Sequence, residues 1–269
     1  IIETTKDIPQ GKYASSAFER SVFLKLELSS FTSVQSFVKE FKAKFDRVDI
    51  LINNAGYFAT KFKLTDDDIE LMVQTNHYSH VLLTTLLLDT FNKEEARVIN
   101  VASFGHTFSN YKEKLKTEFG KGKGQFSDYF GSISNQFIAY GNTKLANMYF
   151  SQYLAEKSQT DERYRNILSY SVHPGGVNTE MSRYFYEGCC TCVIMVLIYP
   201  IFWLLTKTEN DGAQTSLALC YEKKENLVNG GYYANCKEES ISETAKSIEL
   251  RNYLMEVTYK DMSQQLDTV

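Results

Sequence analysis

The sequence predicts a single α/β domain built on a doubly wound parallel sheet, and two features carry this prediction. Short runs of β-branched and other apolar residues alternate along the chain with longer segments of helical periodicity. Such alternation is typical of parallel strands joined by helices that cover both faces of the sheet. The 269 residues contain only three prolines and no repeat or linker-like tract, so we expect one domain spanning 1–269.

The first half of the chain reads as two strand–helix units. Ser29 or Ser30 is placed to cap the first helix, in which apolar residues recur at helical spacing. Thr65 precedes three aspartates, whose charges complement the positive end of a helix dipole. We therefore expect, in chain order, a strand at 22–28, a helix at 31–45, a strand at 48–53 and a helix at 65–90.

The second half repeats the alternation around a polar, glycine-containing stretch at 105–131, which we interpret as a long loop. Here too, β-branched runs predict strands and periodic apolar residues predict helices. The expected elements are a strand at 97–103, a helix at 140–156, a strand at 167–172, a helix at 212–219, a short strand at 231–234 and a terminal helix at 245–257.

Composition excludes several classes of protein. With 43% hydrophobic and 23% charged residues the chain is not intrinsically disordered, and its net charge of -4 is not that of a globally basic nucleic-acid-binding protein. Five cysteines, three of them clustered at 189–192, match neither a disulfide framework nor a zinc-ligand spacing. We expect free thiols in a reducing, intracellular compartment, no metal site and no nucleic-acid partner. His77 and His80 are interpreted as packing or surface residues.

Tyr140 and Lys144 form a candidate acid–base pair, because a spacing of four residues places both side chains on one face of a helix. A nearby ammonium group stabilises a phenolate and lowers a pKa that starts at about 10. A tyrosine tuned in this way can donate or accept the proton of a hydroxyl group near neutral pH. The alternative interpretation is an ordinary exposed pair on a helix surface.

Three further polar features stand out. Ser103 closes an apolar strand, so its hydroxyl could bind a substrate carbonyl or simply stabilise a turn. Asn76 interrupts an apolar helix despite its low helix propensity, which indicates either a functional role or a buried structural one. The stretch 53–56 ends a strand in a glycine, which allows a ligand to approach the backbone but also suits a plain turn. Ligands bind at the carboxyl ends of strands in open α/β sheets.

The order of these features along the chain closely resembles the short-chain dehydrogenase/reductase family, and most of all its retinol-dehydrogenase-like and WW-domain-oxidoreductase-like branch. The resemblance extends over nearly the whole chain. It implies a Rossmann fold and an NAD(P)-dependent oxidoreductase that interconverts a hydroxyl and a carbonyl group on a lipophilic substrate. The segments that carry it are Leu26-Glu27-Leu28, Asn53-Asn54-Ala55-Gly56, Asn76, Asn100-Val101-Ala102-Ser103 with His106, Tyr140 to Asn147, His173-Pro174-Gly175, Asp211 to Ser216, and Gly230-Gly231-Tyr232-Tyr233 with Cys236.

The resemblance also implies a role for each of four side chains. Tyr140 would donate or accept the proton, and Lys144 would lower its pKa and hold the nicotinamide ribose. Ser103 would orient the substrate oxygen, and Asn76 would complete a proton relay through a water molecule. The cofactor carries the hydride, so the protein's part is to orient the reactants and manage the proton.

By the same resemblance, each half of the cofactor would lie along one stretch of the chain. The turn at 53–56 would contact the adenosine half, and the segment after His173 would wall the nicotinamide. Glu27 stands where the family usually has an aspartate beside the adenine. Lys6 lies near the basic position that reads a 2′-phosphate, which favours NADP over NAD. The implied cofactor-binding residues are Lys6, Glu27, Asn53, Asn54, Ala55, Gly56, Tyr140, Lys144, Pro174, Gly175, Val177 and Thr179.

One defining feature of the family is absent from the sequence. A glycine-rich turn should join the first strand to the first helix, where backbone amides receive the cofactor's pyrophosphate. Gly11 is the only glycine before Asn53, and it follows Pro9 closely. Without that first strand, two central strands would lie roughly 10 Å apart, about twice the normal spacing. We therefore expect about forty further residues before Ile1, or another element that fills the gap.

A strongly apolar run at 189–205, within 180–210, corresponds to the substrate lid of the related enzymes. Its 17 residues, with Pro200 towards the carboxyl end, reach the lower limit of a membrane-spanning length. We interpret the run as a lid that touches a membrane surface, with buried packing, a protein interface and a true span as alternatives. An apolar lid suits a lipophilic alcohol or carbonyl substrate and an enzyme at an intracellular membrane of unspecified organelle.

Two other functions compete with this interpretation. The chain could be a catalytically silent accessory subunit of a larger, possibly membrane-bound assembly, or a nucleotide-sensing scaffold. The 37-residue interval from Ser103 to Tyr140 contains a Lys- and Gly-rich stretch at 111–131, and such an insertion would fit an accessory role. The retained Asn76, Ser103, Tyr140 and Lys144 favour the enzyme.

Overall fold

A computed structural model describes residues 21–109, 133–177 and 207–267. A π-helical turn, Gln74–Tyr78, joins α2 to α3, and short 3-10 helices lie at Leu88–Thr90, Phe104–Phe108, Glu162–Tyr164, Lys224–Asn226 and Thr244–Lys246. The α-helices are α1 Phe31–Lys44, α2 Leu71–Val73, α3 Ser79–Leu86, α4 Ile133–Thr160, α5 Glu209–Tyr221, α6 Ile248–Asp261 and α7 Ser263–Leu266. The strands are β1 Ile50–Asn53, β2 Ala96–Val101, β3 Ile167–His173, β4 Tyr232–Ala234 and β5 Lys237–Glu238.

The strands form one sheet in the order β1-β2-β3-β4-β5, in which β1 to β4 run parallel and β5 pairs antiparallel with β4. Helices connect successive parallel strands, as a parallel sheet requires. Every residue of β2 is buried, because helices cover both faces at the centre of the sheet. The predicted doubly wound α/β class is confirmed, and the carboxyl ends of β1, β2 and β3 meet at one edge.

Two groups of buried side chains occupy the two faces of the sheet. The larger group, which includes Val98, Tyr149 and Leu254, packs α1, α3, α4 and α6 against one face. The smaller group joins Ile99 to Leu219 of α5 on the opposite face. Val98 and Ile99 are neighbours that contribute to different groups, because successive side chains of a strand point to opposite faces.

Most predicted elements lie near their expected positions, but the strand expected at 22–28 does not form. That stretch pairs with no strand among the described residues. Among the same residues the ladder of β1 runs to β2 alone, and its Ile50 and Ile52 are 38% and 39% exposed. α4 begins at Ile133, before the predicted position 140, and the short strand β5 is an addition to the predicted elements.

The helix expected from Thr65 begins at Leu71 instead. The Thr65 N–H donates to the Ile69 carbonyl at 2.9 Å, which closes a turn before the helix. Asp68 has a φ of 60°, so this residue adopts the left-handed conformation and the run of aspartates does not form a first helical turn. Glu70 then caps α2 by accepting from the Val73 N–H.

Two stretches singled out from the sequence, 111–131 and 189–205, lie outside the described residues. Within the described ranges, none of the helices combines the length and the apolar character that crossing a membrane demands. The same ranges contain no group of three or more His, Cys, Asp or Glu side chains arranged to bind a metal ion.

Candidate active site

The polar residues predicted at strand ends gather at the carboxyl edge of the sheet. Ser103 follows β2, and His173 ends β3. α4 crosses this edge, since the Lys144 ammonium on that helix donates to the carbonyl oxygen of Val101, the last residue of β2. Tyr140 lies one helical turn earlier on α4. Parallel strands and one long helix thus bring together residues that are distant in sequence.

The Ser103 hydroxyl lies between a backbone donor and the Tyr140 phenol. Its Oγ accepts a hydrogen bond from the Gly105 N–H at 3.1 Å. Burial raises the pKa of Tyr140 to about 12, and the nearby Ser103 side chain opposes that shift only in part. The phenol is therefore protonated at neutral pH and can act as a proton donor.

Lys144 is buried one turn beyond Tyr140. Its Nζ donates to the Val101 carbonyl oxygen at 3.0 Å and lies 5.5 Å from the centroid of the Tyr140 ring. Burial lowers the pKa of Lys144 to about 8, so the group is mostly charged at neutral pH. The lowered pKa predicted for Tyr140 is not found in this arrangement, because burial of the phenol dominates and the ammonium is directed at Val101.

Asn76 lies in the π-helical turn, and its side chain is fully hydrogen-bonded. Its Oδ1 accepts from the Tyr57 N–H at 2.7 Å, while its Nδ2 donates to the Tyr57 carbonyl at 2.9 Å and to the Thr143 hydroxyl at 3.0 Å. The Asn76 carbonyl accepts from His80 Nδ1 at 3.0 Å. Turns of π-helix are frequent at functional sites. The asparagine noted for its low helix propensity therefore marks a real irregularity of the helix.

Gly56 lies next to the side chains of both Asn76 and Lys144. A Cβ atom built on Gly56 would lie 3.2 Å from Lys144 Nζ and 3.7 Å from Asn76 Oδ1. Asn54, Ala55 and Gly56 are all exposed, so the turn after β1 leaves its backbone open to a ligand.

The side chain of Asn53, by contrast, is directed into the protein. Its Nδ2 donates to Asn100 Oδ1 at 2.8 Å and to the Thr84 hydroxyl at 3.2 Å. Asn100 continues this chain of hydrogen bonds to the Ser151 hydroxyl at 2.8 Å. These buried bonds join β1 and β2 to α3 and α4. The Asn53 side chain therefore supports the sheet below the cleft, and the contact of the turn 53–56 with a cofactor stays a prediction.

The segment 174–177 follows β3 and is half-buried or exposed. Gly175 has a φ of 93°, a conformation that favours glycine. The Lys207 N–H donates to the Gly176 carbonyl at 2.7 Å, and the Lys207 ammonium donates to Asn235 Oδ1 at 2.7 Å. Lys207 thereby ties this segment to the turn after β4. Sequence reasoning missed Lys207, because no spacing pattern marks it.

Two histidines support the backbone around Ser103. His106 Nδ1 donates to the Ser103 carbonyl at 2.7 Å, and the Phe104 N–H donates to His173 Nδ1 at 3.3 Å. Burial lowers the pKa of His106 and, with help from the Lys207 charge, lowers the pKa of His173 to about 4. Both rings are therefore neutral at neutral pH. Both histidines lie in segments that carry the family resemblance, but the sequence assigned neither a role, since contacts to backbone atoms are not visible in a motif.

Of the three remaining predicted cofactor residues, the described part of the chain includes Glu27. Glu27 is exposed ahead of α1, and its Oε1 accepts from the Ser29 N–H at 3.1 Å and from the Ser29 hydroxyl at 2.8 Å. These hydrogen bonds lower the pKa of Glu27, so its carboxylate is charged at neutral pH. Lys6 and Thr179 lie outside the described residues.

The described residues fit an NAD(P) cofactor. At Gly56 any Cβ would occupy space next to Lys144, and at Gly175 any Cβ would lie 2.9 Å from the Lys207 side chain. Glycine at these two positions leaves room for the Lys144 and Lys207 side chains, and the exposed backbone at Gly56 allows a ligand to approach closely. The Tyr140 hydroxyl and the Lys144 ammonium are the kinds of donor that ribose hydroxyl groups bind.

The chain is similar in sequence to several known proteins. The sequence profile of the short chain dehydrogenase family matches residues 10–112. The short-chain dehydrogenase TIC 32 A, chloroplastic, of Brassica napus is 33% identical over 243 residues, which span 88% of this chain and 71% of that protein. Retinol dehydrogenase 12 of Mus musculus is 31% identical over 249 residues, which span 90% of this chain and 72% of that protein.

Solved structures share the fold at lower sequence identity. An uncharacterized protein from Mycobacterium Paratuberculosis is 20% identical with a TM-score of 0.63, over 94% of this chain and 82% of that one. NADPH-bound carbonyl reductase from chicken fatty liver is 18% identical with a TM-score of 0.51, over 84% and 82% of the two chains. A short chain dehydrogenase from Burkholderia cenocepacia in complex with NADP is 18% identical with a TM-score of 0.54, over 82% and 77%. With two relatives above 30% identity along most of its length, the chain belongs to the short-chain dehydrogenase/reductase family of NAD(P)-dependent oxidoreductases.

Proposed function

We propose that this chain interconverts a hydroxyl and a carbonyl group on a small lipophilic substrate, with Tyr140 as the general acid and base. The observation that carries the proposal is the assembly of a protonated Tyr140, a hydrogen-bonded Ser103, a buried Lys144 and a fixed Asn76 at one edge of the sheet. The complete set favours an enzyme over a catalytically silent subunit, because a silent subunit has no need of all four groups.

In the direction of reduction, the hydroxyl groups of Ser103 and Tyr140 hold the substrate carbonyl oxygen. Bound NAD(P)H supplies a hydride to the carbonyl carbon. As negative charge develops on the oxygen, Tyr140 transfers its phenolic proton to it and the alcohol forms. The Lys144 ammonium lies 5.5 Å from the tyrosine ring. In this proposal its positive charge offsets only part of the cost of the phenolate that remains, since burial dominates the Tyr140 pKa. In oxidation the phenolate accepts the proton of the substrate hydroxyl.

Asn76 lies next to Gly56 and is proposed to take part in proton transfer. Three hydrogen bonds fix its side chain, and a Cβ at Gly56 would touch both Asn76 and Lys144. We assign Asn76 to a relay in which a water molecule returns a proton from solvent to Tyr140 by way of Lys144.

The cofactor would lie along the turn 54–56 and the segment 174–177, with Tyr140 and Lys144 bonded to the nicotinamide ribose and Glu27 near the adenine. NADP is favoured over NAD for two reasons. The carbonyl reductase and the Burkholderia dehydrogenase that share this fold bind NADPH and NADP. In the sequence, Lys6 lies near the position that reads a 2′-phosphate.

A lipophilic substrate is supported by two exposed aromatic side chains beside Ser103. Phe104 and Phe108 pack edge to face, with ring centroids 5.9 Å apart, and both are more than half exposed. Such a pair gives an apolar wall next to the reacting oxygen. The relative named retinol dehydrogenase has a lipophilic alcohol in its name. The apolar run at 189–205 supports action at an intracellular membrane surface.

The direct test is cofactor binding followed by a tyrosine substitution. NADPH and NADH are titrated into the intact protein, whose N-terminus is established by mass spectrometry, and nicotinamide fluorescence is recorded. We expect NADPH to bind more tightly than NADH. Tyr140→Phe should then lower turnover of nonanal or all-trans-retinal by at least about a hundredfold, the usual scale of general acid catalysis, with the Kd for NADPH changed less than about threefold.

Tyr153→Phe is the matched control, because Tyr153 lies on the same helix but packs against Tyr259, at a ring distance of 5.7 Å, away from the sheet edge. It should leave turnover unchanged. Failure to bind either cofactor would contradict the proposed function and favour the accessory subunit. Unchanged turnover in Tyr140→Phe would refute the role of that tyrosine.

A further inference from the structure

The π-helical turn that carries Asn76 is bonded on its outer side to the C-terminal helix α6. His77 Nε2 shares a hydrogen bond with the Thr258 hydroxyl at 3.2 Å, and the Tyr78 hydroxyl donates to Asp261 Oδ2 at 2.9 Å. His77, Tyr78 and Thr258 are each 0% exposed. Solvent therefore cannot replace these partners, and losing one leaves a buried polar group unsatisfied.

Burial also sets the protonation states of the two side chains. It lowers the pKa of His77 to about 3, so the imidazole is neutral. It raises the pKa of Tyr78 well above its ordinary value, and the Asp261 charge adds to that shift. The donors and acceptors of both hydrogen bonds are therefore the same throughout the neutral pH range, as suits a constant support for the turn.

The same turn directs Asn76 towards the active site. Adjacent residues of a helix point in different directions, so Asn76 meets Tyr57 and Thr143 while the two residues after it meet α6. A π-helical turn contains an extra residue and is rare in isolation, so it depends on its neighbours. Relaxation of this turn to regular α-helix would rotate Asn76 away from Thr143.

A second route leads from His77 to Lys144. The Asn147 side chain lies beside His77 and partly opposes the effect of burial on the His77 pKa. Asn147 Nδ2 also donates to the Val101 carbonyl oxygen at 3.1 Å, the same oxygen that accepts from Lys144 Nζ at 3.0 Å. Helix α6 is thus connected through His77 to two of the four proposed active-site residues.

We propose that Thr258 and Asp261 are positioning residues, which hold the π-helical turn through His77 and Tyr78 and so set the placement of Asn76. The inference rests on the proposed function, since Asn76 needs placing only if the chain transfers a proton there. Neither residue touches a reacting atom. Loss of either hydrogen bond should therefore slow turnover without weakening cofactor binding.

The test removes each hydrogen bond and then restores it with a conservative variant. Thr258→Val and Asp261→Ala should each lower kcat for NADPH-dependent reduction of all-trans-retinal about five- to tenfold, with KM for NADPH within about twofold of wild type. Thr258→Ser and Asp261→Asn retain a hydrogen-bonding oxygen and should recover most of that loss. Thr85→Val is the control, because Thr85 and Tyr259 share a 3.2 Å hydrogen bond between α3 and α6 outside the π-helical turn; its kcat should not change.

Hydrogen–deuterium exchange of the peptide that contains 74–78 provides a readout independent of turnover. Exchange should rise in Thr258→Val and Asp261→Ala but not in Thr85→Val. If Thr258→Val does not fold, the half-buried Asp261→Ala carries the test. A wild-type protein without turnover would contradict the proposed function and the catalytic part of this inference together. If the wild-type enzyme is active, two results overturn this inference alone. One is that kcat and exchange are unchanged in Thr258→Val and Asp261→Ala. The other is that kcat falls in these two variants and in Thr85→Val in proportion to the fall in their melting temperatures.

Discussion

Gly56 is the residue at which the backbone, Lys144 and Asn76 come closest together. Its φ does not lie in the left-handed region, so the position requires a glycine for space and not for backbone conformation. The nearest atom that a side chain would meet is Lys144 Nζ, which is buried and bonded to the Val101 carbonyl. The two residues to which we assign proton handling are therefore packed tightly against the proposed cofactor turn.

Gly56→Ala should lower kcat about tenfold, because the added methyl group would lie 3.2 Å from Lys144 Nζ and would displace the ammonium. The melting temperature should stay nearly unchanged, since the methyl group fills no buried space. A double-mutant cycle identifies the cause. Lys144→Met removes the ammonium, so adding Gly56→Ala to it should cost little further activity. Steady-state kinetics and thermal unfolding of the three variants measure this. An equal loss in both backgrounds would show that Gly56 acts independently of Lys144.

At the residue scale, family motifs predicted which residue types meet but not how each side chain points. Asn76 and Tyr140 were predictable because their spacing and sequence context are distinctive. The inward direction of Asn53 was not, since it depends on Asn100 of the neighbouring strand. The support that His106 gives to Ser103 was also hidden, because it acts through a backbone carbonyl.

At the scale of elements, the helix that carries Asn76 starts at an unusual cap. Glu70 is 3% exposed, and its Oε2 accepts from the Val73 N–H at 2.9 Å. Burial raises its pKa to about 7, and hydrogen bonds from the Met72 and Val73 backbone oppose the shift only in part. The buried carboxyl therefore holds its proton more tightly in the folded protein than in the unfolded chain.

This cap should make the free energy of unfolding depend on pH. Between pH 4.5, the ordinary pKa, and about 7 the folded protein binds more protons at Glu70 than the unfolded chain does, so stability falls as pH rises through that interval. Glu70→Gln keeps the acceptor and removes the charge. We expect the free energy of unfolding of Glu70→Gln to exceed that of wild type by up to about 3 kcal/mol at pH 8 and by little at pH 4.5.

Urea unfolding of both proteins at pH 4.5 and pH 8 measures the difference. The exposed Glu209→Gln, in the first turn of α5, is the control for a generic loss of a carboxylate at a helix start. A stability difference between Glu70→Gln and wild type that is the same at both pH values would refute the buried, proton-binding cap.

The start of this helix was mispredicted for a local reason. Three aspartates after Thr65 satisfy the usual signals of a helix N-terminus, but Asp68 has a left-handed backbone conformation. The helix therefore begins only after Glu70, which is its N-cap. The π-helical turn was not predictable from periodicity either. One extra residue shifts the pattern of apolar positions too little to be seen in a helix that is buried on most sides.

At the scale of the whole molecule, the parallel α/β architecture was predictable because strand and helix signals alternate along the entire chain. The long-range contacts between the C-terminal helix α6 and the π-helical turn were not predictable. Thr258 meets His77 across 181 residues of sequence, and Tyr78 meets Asp261 across 183. Such pairings depend on how α6 packs over α3 and α4, which the pattern of a single segment does not specify.

The central claim is that this edge of the sheet transfers a hydride and a proton to a carbonyl group, with Tyr140 as the proton donor. A single-turnover reaction of all-trans-retinal with NADPH that carries deuterium at both C4 positions, analysed by mass spectrometry of the alcohol, tests it most directly. Wild type should place deuterium on the alcohol carbon, and Tyr140→Phe should do so at least about a hundredfold more slowly with NADPH still bound. Alcohol without deuterium, or equal rates in the two proteins, would contradict the claim.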